Sequence, residues 1–98
     1  MNKNQITIVC FIKAKQNTKE QVEKELRYLA KMTHLEAGNI NYNLHISVND
    51  DSLFIIYENW KDQAAFDNHI NQPYLKDFLA KEKNLLENPI DVKVCQQI

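Results

Sequence analysis

Two kinds of apolar spacing alternate along this chain, in an order that few folds can accommodate. Gln5–Ala14 reads as a strand, with Ile6, Ile8, Cys10 and Ile12 on one face and Val9 and Phe11 on the other. The spacing then becomes helical from Thr18 to about Glu36, burying Val22, Leu26, Leu29, Ala30 and Thr33. Thr18 and Gln21 have capping-box spacing, and Glu23 and Arg27 are set for an i,i+4 pair on the wet side. Gly38 is the expected left-handed stop beyond that helix. Ile40–Val48 alternates again, and the turn Asn49-Asp50-Asp51-Ser52 makes Leu53–Trp60 the second arm of a hairpin.

Asp62 is placed to cap a second helix that carries Ala65, Phe66, His69 and Ile70 inward. Pro73 reopens the helix at a first turn, with Leu75, Phe78, Leu79, Leu85 and Leu86 apolar, and Pro89 ends it before a last strand, Ile90–Ile98. The order β-α-β-β-α-β is the split βαβ plan: an α+β, ferredoxin-like fold with a four-stranded antiparallel sheet and helices on one face. One domain over residues 1–98 accounts for the whole chain, since 98 residues hold one core. The face without helices would carry Val9 and Phe11, joined by either Leu53, Ile55 and Tyr57 or Phe54 and Ile56. A strand apolar on both faces expects cover on both, so the expectation is a homodimer formed by packing sheet on sheet.

Charge and composition narrow the function classes. A net charge of −1 leaves no basic field for nucleic acid or anionic lipid. The longest apolar runs, Ile8–Ile12 and Leu53–Tyr57, fall far short of the roughly 20 residues of a membrane helix. Residues Met1 to Gln5 lead into a strand with no signal-peptide core, so the expected location is cytoplasmic. Cys10 and Cys95 lie in separate apolar runs and read as small buried or half-buried thiols, outside any metal or disulfide framework. With one glycine no phosphate-cradling loop can be built, so no flavin or nicotinamide cofactor is expected; no cluster has metal-ligand spacing either.

Two blocks carry a resemblance. Glu36-Ala37-Gly38-Asn39-Ile40-Asn41-Tyr42 has the form E-x-G-x-x-x-Y, and Tyr57-Glu58-Asn59-Trp60 followed by Ala65-Phe66 and His69 has the form E-x-W, then A-[LF]-x-x-H. In this order and spacing the chain resembles the antibiotic biosynthesis monooxygenase family of dimeric α/β barrels, quinol monooxygenases among them. Many relatives have a histidine near the start of the long second helix, where this chain has Pro73-Tyr74-Leu75. The resemblance implies a pocket between the sheet and its own helices, a homodimer, and oxidation of a quinol or other hydroxylated aromatic with dioxygen and no cofactor. Relatives also include haem degraders, isomerase-like enzymes and non-catalytic binding or sensing modules of the same fold. Haem would need an axial ligand, and no histidine lies between Leu75 and Leu86.

On that footing His69 and Glu58 are the candidate catalytic residues, and Trp60, Tyr42 and Phe66 the candidate substrate contacts. His69 on the inward helical face suits proton abstraction near neutral pH; its bland alternative is a core histidine satisfied by a carbonyl or carboxylate. Glu58 and Trp60, two apart on one strand, share a face. Glu58 would orient a neighbour or accept a proton, or else serve as a structural carboxylate. Trp60 would offer a flat surface to an aromatic ring, or simply anchor the core. Tyr42 could bond a substrate oxygen or fill the sheet. His34 and His45 read as surface or strand-edge residues.

Overall fold

Residues 4–98 are described by the computed structural model; residues 1–3, part of the lead-in noted above, lie outside the described residues. The elements are β1 (Ile6–Lys13), α1 (Lys19–Thr33), β2 (Asn39–Ile46), β3 (Leu53–Trp60), α2 (Gln63–Ile70), α3 (Pro73–Ala80), α4 (Glu82–Leu85) and β4 (Asp91–Cys95). They form an antiparallel sheet of order β2-β3-β1-β4, the ferredoxin-like arrangement. β1 supplies Ile8, Cys10 and Ile12 to the helix-covered face, and β3 supplies Phe54, Ile56, Glu58 and Trp60, all buried. Val22, Leu26 and Leu29 of α1, with Phe78 of α3 and Leu85 and Leu86 beyond it, close that core.

The open face of β3 is therefore Leu53, Ile55 and Tyr57, the first of the two alternatives. Val9 pairs across from Tyr57 and Phe11 from Ile55, and Phe11 and Tyr57 remain 40% and 43% exposed. Polar groups bound this apolar strip at both ends. Asn59 accepts from Gln5 and Thr7 and donates to Asn41 at one end. Lys13 reaches Asp50 and Ser52 at the other.

Several local expectations give way to tertiary contacts. No capping box forms: the Thr18 hydroxyl donates to the Leu85 and Lys15 carbonyls, and Gln21 bonds Glu25. α1 ends at Thr33 instead of Glu36, and the remaining residues turn toward β2. Gly38 has no positive φ. It is needed for closeness, because a Cβ there would stand 2.3 Å from the Ala65 Cβ. The long second helix breaks at Lys81 into α3 and the short α4. Cys95 is exposed, where a buried or half-buried thiol was expected, and both cysteines are free. Other expectations match: Asp62 caps α2 by accepting from the Ala65 amide at 2.8 Å, Glu23 pairs with Arg27, and Pro73 opens α3.

Candidate active site

The register of the sheet sets which polar side chains face inward. Tyr42 on β2 lies opposite Glu58 on β3, which lies opposite Ile8 on β1, with Cys10 beside it; all point to the helix-covered side. A buried carboxyl has lost its water, so its charged form must be held by donors. Glu58 has two: the Trp60 indole N–H donates to Oε1 at 2.7 Å, and the Cys10 thiol to Oε2 at 3.6 Å. Burial outweighs both bonds and, with the nearby Glu36 carboxylate adding to it, pushes the Glu58 carboxyl up to about 7. Burial and the Glu58 charge also hold the Cys10 thiol and the Tyr42 phenol well above their ordinary ranges, so both stay protonated at neutral pH.

His69 enters from α2, fully inward. Its ring packs against Trp60 at a 35° tilt with centroids 4.6 Å apart, and lies 6.2 Å from Phe66 and 6.1 Å from Tyr42. Nδ1 lies 2.8 Å from Glu36 Oε2 in the turn after α1, and the Tyr74 hydroxyl of α3 donates to the same oxygen. A carboxylate only accepts, so Nδ1 is the ring nitrogen that donates to Glu36. The other Glu36 oxygen, Oε1, is buried without a hydrogen-bond partner among the described residues.

These groups surround a cavity of about 190 Å³ between the sheet and α1, α2 and α3. Cys10, Tyr42, Glu58 and His69 give it a polar lining; Leu26, Ile56, Phe66, Leu75 and Phe78 are among its apolar walls. Of the five residues singled out from sequence, His69, Glu58, Tyr42 and Phe66 line the cavity. Trp60 does not; it lies fully buried behind Glu58 and His69, holding both. A larger open groove of about 1080 Å³ runs outside, between α1 and α3; Glu36 and Tyr74 line it, and neither His69 nor Glu58 does. His34 and His45 are exposed and bond the carbonyls of Tyr42 and Ile55.

Sequence reasoning gave no role to Glu36 or Tyr74, which touch His69 and Glu36 across 33 and 38 residues. Glu36 had one available signal, its place two before Gly38 in the E-x-G block. The contact between Gly38 and Ala65 is what draws that turn against α2 and lays Glu36 beside His69. Cys10 carried no signal beyond its position on the inward face of β1. Among the described residues no group of three or more His, Cys, Asp or Glu side chains could hold a metal ion.

Comparison with known proteins agrees with this architecture. The chain is 34% identical over 87 residues to the Bacillus subtilis protein named "Putative monooxygenase YcnE", covering 89% of this chain and 92% of that one. The crystal structure of PA3566 from Pseudomonas aeruginosa superposes with a TM-score of 0.92 at 30% identity, covering 100% of this chain and 98% of that one. That of SO0527 from Shewanella oneidensis gives 0.91 at 29%, covering 98% and 93%. The profile of the family described as antibiotic biosynthesis monooxygenase matches residues 5–81, from β1 to the end of α3. Both motif blocks and the whole cavity wall up to α3 fall inside that match, and the chain belongs to the antibiotic biosynthesis monooxygenase family.

Proposed function

We propose that the protein is a cofactor-independent monooxygenase that oxidises a hydroquinone or related hydroxylated aromatic with dioxygen. The observation that carries this reading is the buried pair His69–Glu36 at the wall of a small, mostly apolar cavity. With Nδ1–H given to Glu36, Nε2 accepts the proton of a substrate hydroxyl, and Glu36 stabilises the imidazolium that results. Glu58, pushed up to about 7, can take or return a second proton at neutral pH. Tyr42, held protonated, donates to a substrate oxygen. The apolar walls strip water from the phenolate and so favour electron transfer from its ring to dioxygen.

The new C–O bond forms at a ring carbon and gives a hydroperoxide, which then breaks its O–O bond. One oxygen atom stays on the ring and the other leaves as water, so hydroquinone plus dioxygen gives hydroxyquinone plus water. No external reductant is required, because the hydroquinone supplies the electrons. Cavity size also suits this reading: an apolar cavity of about 150 Å³ accommodates a benzene ring, and one of about 190 Å³ accommodates a single substituted ring. The test is oxygen consumption by purified, metal-free protein with a panel of hydroquinones. Uptake above the autoxidation blank supports the reading; none across the panel retires it in favour of a binding or sensing role.

The same reading includes a homodimer, supported by the apolar strip of Val9, Phe11, Ile55 and Tyr57 on the open face of the sheet. Among the described residues no helix is long and apolar enough to cross a membrane, and both thiols are free, which suits a reducing cytoplasmic compartment.

A further inference from the structure

The inner end of the cavity and its mouth are built from different chemistry. Inside, Cys10, Tyr42, Glu58 and His69 are all less than one-tenth exposed. At the mouth the cavity is lined by Ile70 at the end of α2, Leu79 on α3 and Val92 on β4, which are 42%, 41% and 44% exposed. Val94, on the same side of β4, is 56% exposed and continues the apolar strip away from the opening. Among the described residues the one charged side chain lining the mouth is Glu82, whose Oε2 is engaged by the Ile90 amide. Polar groups are thus hidden and aliphatic ones presented, the reverse of an ordinary surface depression.

Volume limits what goes inside. About 150 Å³ suffices for one benzene ring, and pockets that enclose a drug-sized ligand start near 300 Å³. A cavity of about 190 Å³, counted from its inner end to its mouth, therefore admits one substituted ring, and anything longer must pass out across the mouth residues. A charged or hydroxylated substituent there would lie on three aliphatic side chains and give up hydration for nothing. An aliphatic substituent would bury its own surface and theirs.

The geometry points to an amphiphilic substrate: a single hydroxylated ring, seated with its oxygens toward His69 and Glu58, bearing an aliphatic chain that leaves between Ile70, Leu79 and Val92. This rests on the cavity being the substrate site, and it narrows the substrate from hydroxylated aromatics at large to alkyl-substituted one-ring hydroquinones. Polycyclic substrates are disfavoured by the same geometry.

The experiment is anaerobic binding of 2-alkylhydroquinones of increasing chain length. Binding is read by the fluorescence of Trp60, the chain's only tryptophan, whose ring packs against His69 with centroids 4.6 Å apart. No turnover is needed, so a failure of the oxygenase reading leaves this readout intact. Kd is expected to tighten about fourfold for each methylene over roughly the first four carbons, the factor set by burying a CH₂ group. In the doubly substituted Leu79→Ser, Val92→Thr protein, whose changes fall on exposed positions, that gain per methylene should shrink to less than about half. A Kd independent of chain length, an unchanged gain in the double variant, or tighter binding of unsubstituted naphthohydroquinone than of the pentyl compound would each overturn the inference.

Discussion

Glu58 is held in a state that water would not allow, and its surroundings show why. Both oxygens accept hydrogen bonds, yet burial dominates and its carboxyl titrates near 7 against an ordinary value of 4.5. The folded protein therefore keeps a proton that the unfolded chain releases between roughly pH 4.5 and 7. Stability from this group is fully present below the unfolded value and is lost as pH rises through the folded one. A shift of this size corresponds to something on the order of 3 kcal/mol. Urea unfolding at pH 5 and pH 8 should then show the wild-type protein losing stability over that interval and Glu58→Gln losing much less. Parallel losses in the two proteins would mean that Glu58 does not carry the titration. The neighbouring Cys10 thiol, pushed up by burial and by Glu58, serves as a donor to that carboxylate and is a poor nucleophile.

At the scale of elements, the turn joining α1 to β2 is what assembles the site. Its single glycine packs against α2 so closely that a Cβ at Gly38 would lie 2.3 Å from that of Ala65. Gly38→Ala is expected to cost about 1–3 kcal/mol through overpacking, measured as a lowered urea midpoint, and to part Glu36 from His69. Adding Ala65→Gly should restore part of the loss; a double variant no more stable than the single would show that the clash is not the cause. The strands were legible because the short apolar runs Ile8–Ile12 and Leu53–Tyr57 and the alternation in Ile40–Val48 are local, and Asp62 and Pro73 are local helix signals. His69 and Glu58 were legible as inward-facing polar residues within motif blocks. Glu36 and Tyr74 were not, since their contacts cross 33 and 38 residues and no spacing rule encodes them. Gly38 was noticed for the wrong reason: local reasoning supplies left-handed backbone as the explanation, while the true constraint is an approach between elements. The break at Lys81 was likewise hidden, because the apolar spacing from Leu75 to Leu86 continues through it.

The whole molecule has two distinct apolar regions, and each has its own proposed occupant. The strip of Phe11, Ile55, Val9 and Tyr57 is bounded by the Asn41–Asn59–Thr7 amide network and the Lys13–Asp50 pair, the layout of an apolar interface core with a polar rim. Phe11→Asp places a charge in that core, and light scattering at micromolar concentration should then give a monomer where the wild type gives a dimer, with far-UV dichroism unchanged. A wild-type monomer would remove the dimer outright. The cavity on the opposite face is the proposed seat of the chemistry, and that proposal rests on His69 acting as a base held by Glu36. The most direct measurement is the rate of oxygen consumption with an active hydroquinone, wild type beside His69→Ala, both shown folded by their melting curves. A loss of roughly 10²–10⁴-fold in the variant is the expected result for a missing general base, whereas turnover equal to wild type in the folded variant would contradict the account.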